Sequence, residues 1–308
     1  MENMFINEAI NELKTLQDML RWAVSCFESE NIYYGHGTDN PWDEAVQLIL
    51  PTLFLPIDSL AENIKEAKLT WSERKKIIDN IMLRTKKRIP VPYLTNKSWF
   101  CNYEFYIDRR VLIPRSPFGE IINNNFKNIV SHSPKFILDM CTGSGCLAIA
   151  SAYVFPESQI DAVDISADAL AVANININNH FLFHRIKLIH SDLFLHIPIK
   201  KYDLIITNPP YVNNEDMRNL PKEYLHEPHI GLLGGNDGLN FINRILFIAS
   251  DYMNENGILI CEVGNNIENL KKKYPNIPFT WIELNNGGKG VFYLTFQQII
   301  DSKQYLIY

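Results

Sequence analysis

Apolar residues in the first ninety positions recur at helical spacing. Ile10, Leu13, Leu16 and Leu20 fall on one face of a 3.6-residue repeat. Asn40-Pro41, followed by Asp43 and Glu44, reads as a helix start, with proline early and acids in the first turn. Thr70-Trp71-Ser72-Glu73 fits a capping box. The helix it opens should run to about Lys87 and stop before Pro90. These stripes predict a small helical bundle over residues 1–90. A partner-binding role for that bundle has the same periodicity as a plain core.

Residues 91–115 change character. Trp99-Phe100 and Tyr103-Glu104-Phe105-Tyr106-Ile107 are aromatic and β-favouring, with Asn102 between them, and predict a hairpin. Val111-Leu112-Ile113-Pro114-Arg115 then leads into a predicted helix near 118–126. From about residue 134 the chain alternates. Apolar runs at 136–138, 160–163, 186–189 and 204–206 are too short for helices, and helical stretches follow the first two at 147–154 and 167–177. That alternation argues a doubly wound, mostly parallel α/β sheet. Later strands fit 258–263, 279–284 and 291–295, the last two joined by the hairpin-type connection Asn285-Asn286-Gly287-Gly288. The expected organisation is a helical substrate-recognition domain (1–90), a β-hairpin linker (91–115) and an α/β domain (116–308).

Composition narrows the class. The chain has 308 residues, 46% hydrophobic and 21% charged, an ordinary globular balance. Its formal charge of −6 provides no global field for nucleic acid. A basic run, Arg84-Thr85-Lys86-Lys87-Arg88, reads as a solvated helix end that suits the macrodipole. The five cysteines, Cys26, Cys101, Cys141, Cys146 and Cys261, are odd in number and form no C-x-x-C, which argues against a disulfide framework or structural zinc. His180 and His184 lie one helical turn apart with no further ligand, so no obligatory metal is expected. No apolar run approaches membrane-spanning length and no signal peptide is visible, so a soluble, cytoplasmic protein is expected.

The chemistry begins after the first α/β strand, at Asp139-Met140-Cys141-Thr142-Gly143-Ser144-Gly145. Glycines there let the backbone turn tightly and approach a ligand. With Ala148, Gly143 and Gly145 also satisfy a dinucleotide pattern, and Asp164 lies where a carboxylate would accept both ribose hydroxyls of an adenosine. Asp139 helps to separate the readings. It would repel a diphosphate but suit the ammonium of a methionine tail, as in S-adenosyl-L-methionine. Asp192, after the third strand, can accept from an adenine amine, with Ile165 and Leu193 packing on the ring. The plainer alternative makes Asp164 and Asp192 helix caps or turn residues.

Asn208-Pro209-Pro210-Tyr211 follows the fourth strand, where ligands bind in open α/β sheets. An amide nitrogen is a poor nucleophile whose two N–H groups need acceptors. The Asn208 side-chain oxygen and the Pro209 carbonyl can supply them, Pro209 and Pro210 can fix the backbone, and Tyr211 can stack on the planar group. The plainer alternative is a surface turn. Between Tyr211 and Leu239 runs a long loop without periodicity, containing Tyr224-Leu225-His226-Glu227-Pro228, which reads as a cover over the substrate site. His226 is a candidate general base there, against a plain loop hydrogen bond.

With these motifs in hand, the chain resembles the HemK/Prm-type protein-(glutamine-N5) methyltransferases. The resemblance rests on Ile113-Pro114-Arg115, Asp139 to Cys146, Ala162-Val163-Asp164, Ser191-Asp192, Asn208 to Tyr211 and Gly234 to Leu239. It implies a class I, Rossmann-like methyltransferase fold with a seven-stranded sheet closed by an antiparallel hairpin. It also implies S-adenosyl-L-methionine as methyl donor. Arg115-Ser116-Pro117-Phe118, the Leu-His-Glu-Pro loop and the Gly-Gly-containing C-terminus resemble the PrmB branch, which implies N5-methylation of a glutamine in large-subunit ribosomal protein L-three, free or in early assembly intermediates. The alternatives are the branch acting on peptide-chain release factors, a nucleic-acid amino-methyltransferase, and a non-enzymatic assembly factor. By the resemblance, Asp164 binds ribose, Asp192 and Leu193 adenine, and Asn208 both the target amide and the methyl donor. Pro209, Pro210 and Tyr211 then shape the pocket, and Arg115 anchors either the cover loop or substrate backbone.

Overall fold

The computed structural model describes residues 2–57, 62–285 and 287–306. The chain divides into two compact units, Met1–Ser98 with Pro221–His226, and Trp99–Leu220 with Glu227–Tyr308.

The first unit is helical: α1 (Glu2–Glu12), α2 (Leu16–Ser29), α3 (Pro41–Thr52), α4 (Glu62–Lys65), α5 (Trp71–Lys87) and α6 (Val91–Thr95). The apolar stripe through Ile10 and Leu20 is not one helix. Thr15 interrupts it with a capping box, its side chain accepting from Asp18 N–H while the Asp18 carboxylate accepts from the Thr15 backbone. Satisfying two otherwise orphaned donors makes a restart there favourable. Helix α3 opens as its sequence implies, with the Asn40 side chain accepting from the N–H groups of Trp42 and Asp43. Helix α5 has its capping box at Thr70 and Glu73 and ends at Arg88 in a left-handed conformation. Met19, Ala23 and Phe27 of α2, Leu48 and Ile49 of α3, and Ile77, Ile78 and Ile81 of α5 form the core.

The basic run is a solvated helix end only in part: Lys86 and Lys87 are exposed in the last turn, but the arginines are not. Arg84 is 1% exposed. Its guanidinium donates to Glu44 Oε1 at 2.6 Å, Glu223 Oε1 at 3.4 Å and the Tyr33 carbonyl at 2.8 Å. One turn later, Arg88 donates to the same Glu223 oxygen at 3.4 Å and to the carbonyls of Glu30 and Asn31. The i, i+4 spacing puts both arginines on the side that meets the 221–226 segment. Replacing Arg84 with methionine leaves two buried carboxylates short of their cation. It should cost about 3–5 kcal/mol of stability by the general scale for breaking buried pairs. Urea unfolding checks this, and a loss below about 1 kcal/mol would contradict the assignment of Arg84 to the core.

The second unit completes a hairpin and builds an α/β sheet. Strands β1 (Lys97–Phe100) and β2 (Tyr103–Tyr106) pair in a two-stranded sheet. Cys101 and Asn102 at their turn have φ of 51° and 64°, the conformation of a type I′ turn. Helix α7 (Phe118–Asn123) is shorter than the sequence implies, because Asn125 and Phe126 take φ of 53° and Phe126 is buried instead. The remaining elements are β3 (Phe136–Met140), α8 (Cys146–Val154), β4 (Gln159–Asp164), α9 (Ala167–Asn179), β5 (Ile186–His190), β6 (Tyr202–Thr207), α10 (Asn214–Arg218) and α11 (Asn240–Ile248). They continue through β7 (Met253–Glu262), α12 (Ile267–Lys273), β8 (Thr280–Trp281), β9 (Val291–Thr295) and α13 (Phe296–Ser302).

The seven-stranded sheet has the order β5-β4-β3-β6-β7-β9-β8. Strands β3 to β7 pair in parallel, and β9 runs antiparallel to both β7 and β8. The expected class I, Rossmann-like sheet with an antiparallel closing hairpin is therefore present. Strand β8 is shorter than the 279–284 run, and the turn after it includes Asn286, which lies outside the described residues. Order reverses between β3 and β6. In a doubly wound sheet such a switch point opens a crevice at the carboxyl ends of the strands.

Candidate active site

The carboxyl end of β3 passes into a loop of unusual backbone. Cys141, Gly143 and Gly145 have φ of 63°, 55° and 81°. The two glycines serve different needs. A Cβ on Gly143 would meet no atom within 4 Å, so bare backbone faces open space there. A Cβ on Gly145 would lie 3.3 Å from that of Ala173, so this glycine lets α8 start close against α9.

Asp139 is wholly buried. Its Oδ2 accepts from Thr142 Oγ1 at 2.5 Å and from Ala148 N–H at 3.0 Å, while the buried Oδ1 has no hydrogen-bond partner. Burial pushes this carboxyl up to about 7, against the pull of those two donors. Asp164 is half-buried and bridges two loops, accepting from Gly143 N–H and Ser166 N–H, each at 2.9 Å. Burial raises it as well. Helix α9 is capped by Ser166, not by Asp164.

Asp192 is also half-buried, and its Oδ1 pairs with Arg244 Nη1 of α11 at 3.0 Å. Its neighbour Leu193 is only 4% exposed and joins the core, whereas Ile165 stands 47% exposed. Sequence reasoning missed Asn176. This buried residue of α9 donates to the Ser144 carbonyl at 2.9 Å and exchanges bonds with the backbone of Tyr106, tying the glycine loop to β2.

At the end of β6, Thr207 Oγ1 donates to the Met140 carbonyl at 3.0 Å, joining the two strands that flank the switch point. Asn208 follows, half-buried. Among the described residues, neither its side chain nor the Pro209 carbonyl takes part in a hydrogen bond. Tyr211 is the opposite case. Its hydroxyl donates to Glu262 Oε1 at 2.8 Å and its carbonyl accepts from Asn266 Nδ2 at 2.5 Å. Its ring lies over Gly264, where a Cβ would fall 2.4 Å from Cε2. Glu262 is buried at the end of β7, also accepts from Ser116 Oγ at 2.5 Å, and is pushed upward by burial. Sequence reasoning misses it too, because Tyr211 and Ser116, which give it meaning, lie far off in the chain.

The long loop is more structured than its sequence suggests. It holds α10 and two 3-10 turns, at 222–226 and 229–231, and returns through a bridge of Val212 with Leu233. Its glycines are steric requirements. A Cβ on Gly234 would lie 2.7 Å from the Pro210 carbonyl, and one on Gly238 would lie 2.4 Å from that of Tyr211. Arg115 grips the returning limb, donating in bidentate fashion to Glu227 at 2.6 and 2.7 Å, while Ile113 N–H donates to the same carboxylate at 3.0 Å. Loop anchoring, one of its two expected roles, is what the geometry displays. His226 bonds to the Lys87 carbonyl at 2.7 Å, the plain loop contact. His180 is engaged by the Tyr153 hydroxyl, and no cluster able to hold a metal occurs among the described residues.

Two outcomes follow from this geometry. The unfolded chain releases the Asp139 proton near the ordinary value of about 3.9, whereas the native chain holds it to about 7. The native state therefore binds the extra proton within that window and loses relative stability as pH rises through it. Asp139→Asn should flatten that fall, measured as urea midpoints from about pH 5 to about pH 8. An unchanged slope would contradict the buried, under-solvated carboxylate. Separately, alanine at Gly287, which has φ of 87° and open surroundings, should cost only the left-handed penalty, about 1–2 kcal/mol. Alanine at Gly238 (φ of 75°) should cost more, because its Cβ also meets backbone. Thermal melts of the two variants would contradict this if they agreed.

The geometry can now be set beside known proteins. Residues 121–228 match the family model described as methyltransferase small domain. The chain is 45% identical over 298 residues to the ribosomal protein uL3 glutamine methyltransferase of Francisella tularensis, covering 96% of this chain and 95% of the relative. It is 45% identical over 302 residues to the protein of the same name from Neisseria meningitidis, covering 97% and 99%. Asp139, Asp164 and the Asn208 tetrad thus lie in the α/β unit of a methyltransferase, and this chain belongs to the family of ribosomal protein uL3 glutamine methyltransferases.

Proposed function

We propose that the chain transfers a methyl group from S-adenosyl-L-methionine to the side-chain nitrogen of a glutamine in ribosomal protein uL3. The acceptor is taken in the cytoplasm, free or in an early assembly intermediate, without a metal and without direct contact to nucleic acid. The observation that carries the acceptor chemistry is the pair of unengaged acceptors at Asn208 and Pro209.

The donor reading draws on the acids. The orphaned Oδ1 of Asp139 fits a cationic group or its ordered water and not a phosphate. Asp164 has acceptor capacity beyond its two backbone bonds for ribose hydroxyls. Asp192 and Ile165 flank the adenine, with Leu193 backing them from the core. Thr142, Gly143 and Gly145 shape the methionine end, where the open face of Gly143 leaves room. When bound, the donor supplies a methyl group made electrophilic by its sulfonium.

The chain's own residues do the rest. Asn208 Oδ1 and the Pro209 carbonyl accept the two N–H groups of the glutamine amide, which turns its nitrogen toward the methyl carbon; once the nitrogen is methylated, one of those two protons leaves to water. Pro209 and Pro210 hold those acceptors in place, and Tyr211 flanks the planar group. Arg115 contributes to substrate binding by fixing the loop through Glu227. The rate then comes mainly from positioning and from neutral dipoles already oriented.

Asn208→Ala should lower methyl transfer to purified uL3 by about a hundredfold, the scale for losing one oriented polar group, with a much smaller loss of donor affinity by calorimetry. Asp164→Ala should abolish measurable donor binding, and methyl transfer with it. In cells lacking this chain, intact-mass spectrometry should find uL3 lighter by one methyl and the release factors unchanged. A methyl missing from a release factor instead would overturn the acceptor assignment.

A further inference from the structure

Glu262 lies directly behind the tetrad, at the Tyr211 hydroxyl. The carboxylate is 2% exposed, at the last position of β7. It accepts one hydrogen bond from Tyr211 Oη at 2.8 Å and one from Ser116 Oγ at 2.5 Å. Both donors are neutral hydroxyls, and burial pushes the carboxyl upward, against the pull of those hydroxyls and of the Arg115 charge. A carboxylate in such surroundings costs stability relative to an apolar residue of similar volume. A chain that needed only packing here would be more stable with leucine or methionine.

The Tyr211 ring is restrained from three other sides. Gly264, at φ of 52°, presents bare backbone that a Cβ would turn into a clash at 2.4 Å. Asn266 holds the Tyr211 carbonyl at 2.5 Å. Gly238 and Gly234 close on the tetrad backbone. Those contacts fix the residue's backbone and one ring face. The ring also packs on the neighbouring core, and Glu262 fixes the hydroxyl at its tip. Ser116 in turn fixes the Glu262 rotamer and accepts from Phe118 N–H at 3.1 Å, so it is tied to the start of α7.

We infer that Glu262 is a positioning residue for methyl transfer, which orients the Tyr211 ring against the acceptor amide and is itself oriented by Ser116. This rests on the glutamine reading above. An interaction carried through one shared hydrogen bond makes the effects of its two partners non-additive. Truncating the hydroxyl (Tyr211→Phe) and neutralising its acceptor (Glu262→Gln) should therefore impair the same step once.

The test is a double-mutant cycle on purified full-length protein with uL3 as acceptor. Each single variant should lower kcat by about tenfold, the scale of a lost charge-assisted hydrogen bond, and leave KM for the methyl donor unchanged. The double variant should be no slower than the slower single. Ser116→Ala should give a smaller loss of kcat that disappears in the Tyr211→Phe background. Multiplicative losses, or losses confined to KM for the donor, would overturn the inference. A second measurement needs no acceptor: 3-fluorotyrosine placed at position 211 should give one sharp fluorine resonance that broadens or splits in Glu262→Gln. An unaltered resonance would overturn the positioning role even if activity fell. If the unaltered protein methylates no glutamine, the glutamine reading falls, and the fluorine measurement still decides the fate of Glu262.

Discussion

Carboxylates held by neutral donors are the constraint from which the catalytic unit is organised. Asp139, Asp164 and Glu262 close the carboxyl ends of β3, β4 and β7. Thr142 Oγ1 and Ala148 N–H hold the first, Gly143 and Ser166 N–H the second, and Ser116 and Tyr211 hydroxyls the third. Burial raises all three. Each one therefore ties a loop to the sheet at a cost in desolvation. The glycine loop is pulled toward Asp164, the start of α8 toward Asp139, and the tetrad toward Glu262. A rim built this way favours a cation above it, because a positive group would relieve what the hydroxyls and amides do not.

The helical unit handles buried charge differently. There Glu44 and Glu223 converge on Arg84, and Arg88 adds a second cation to Glu223. Carboxylate and guanidinium neutralise each other, so that cluster serves structure. In the α/β unit the buried Oδ1 of Asp139 keeps unmet hydrogen-bonding capacity. Unmatched polarity in a closed interior is destabilising, and in the proposed reaction it is the capacity that the cationic end of the donor would take up. The contrast between the two units is why similar acids carry a functional reading in one and none in the other.

Much of this was legible because it is local. Short apolar runs marked β3, β4 and β6 within a few residues, since a parallel strand covered on both faces is apolar over most of its length. The partly exposed β5 and the antiparallel β9 were marked by their β-favouring residues. Asn40, Thr70 and Glu73 marked helix starts because capping depends on neighbours in sequence. The loop acids were legible as positions after strands. What the sequence did not disclose depends on distant partners. Arg84 looked like a surface cation because Glu44 and Glu223 lie far off in the chain. Leu193 looked available to a ligand because nothing local says that it turns into the core. Strand β8 falls short of its apolar run because pairing with β9 extends over only two residues. Glu262 and Asn176 were overlooked for the same reason: each is a polar residue in an apolar context whose meaning lies in the loop it meets.

The tetrad's polarity also bears on which nitrogen it suits. Asn208 and the Pro209 carbonyl are neutral acceptors, and neither can take a proton from a cationic amine near neutral pH. A lysine ammonium would arrive with its lone pair already bonded to hydrogen. It would also bring three N–H groups to two acceptors. A planar carboxamide brings two N–H groups, carries no charge to desolvate, and keeps its nitrogen unprotonated throughout the physiological range. The site therefore need not generate a nucleophile; it must hold a weak one still. That requirement gives rigidity its weight. Two prolines, two glycines packed on backbone, and a tyrosine fixed at its hydroxyl, carbonyl and ring face serve that end. In the proposed reaction, selectivity for an amide and the immobility of Asn208 to Tyr211 are two consequences of one arrangement.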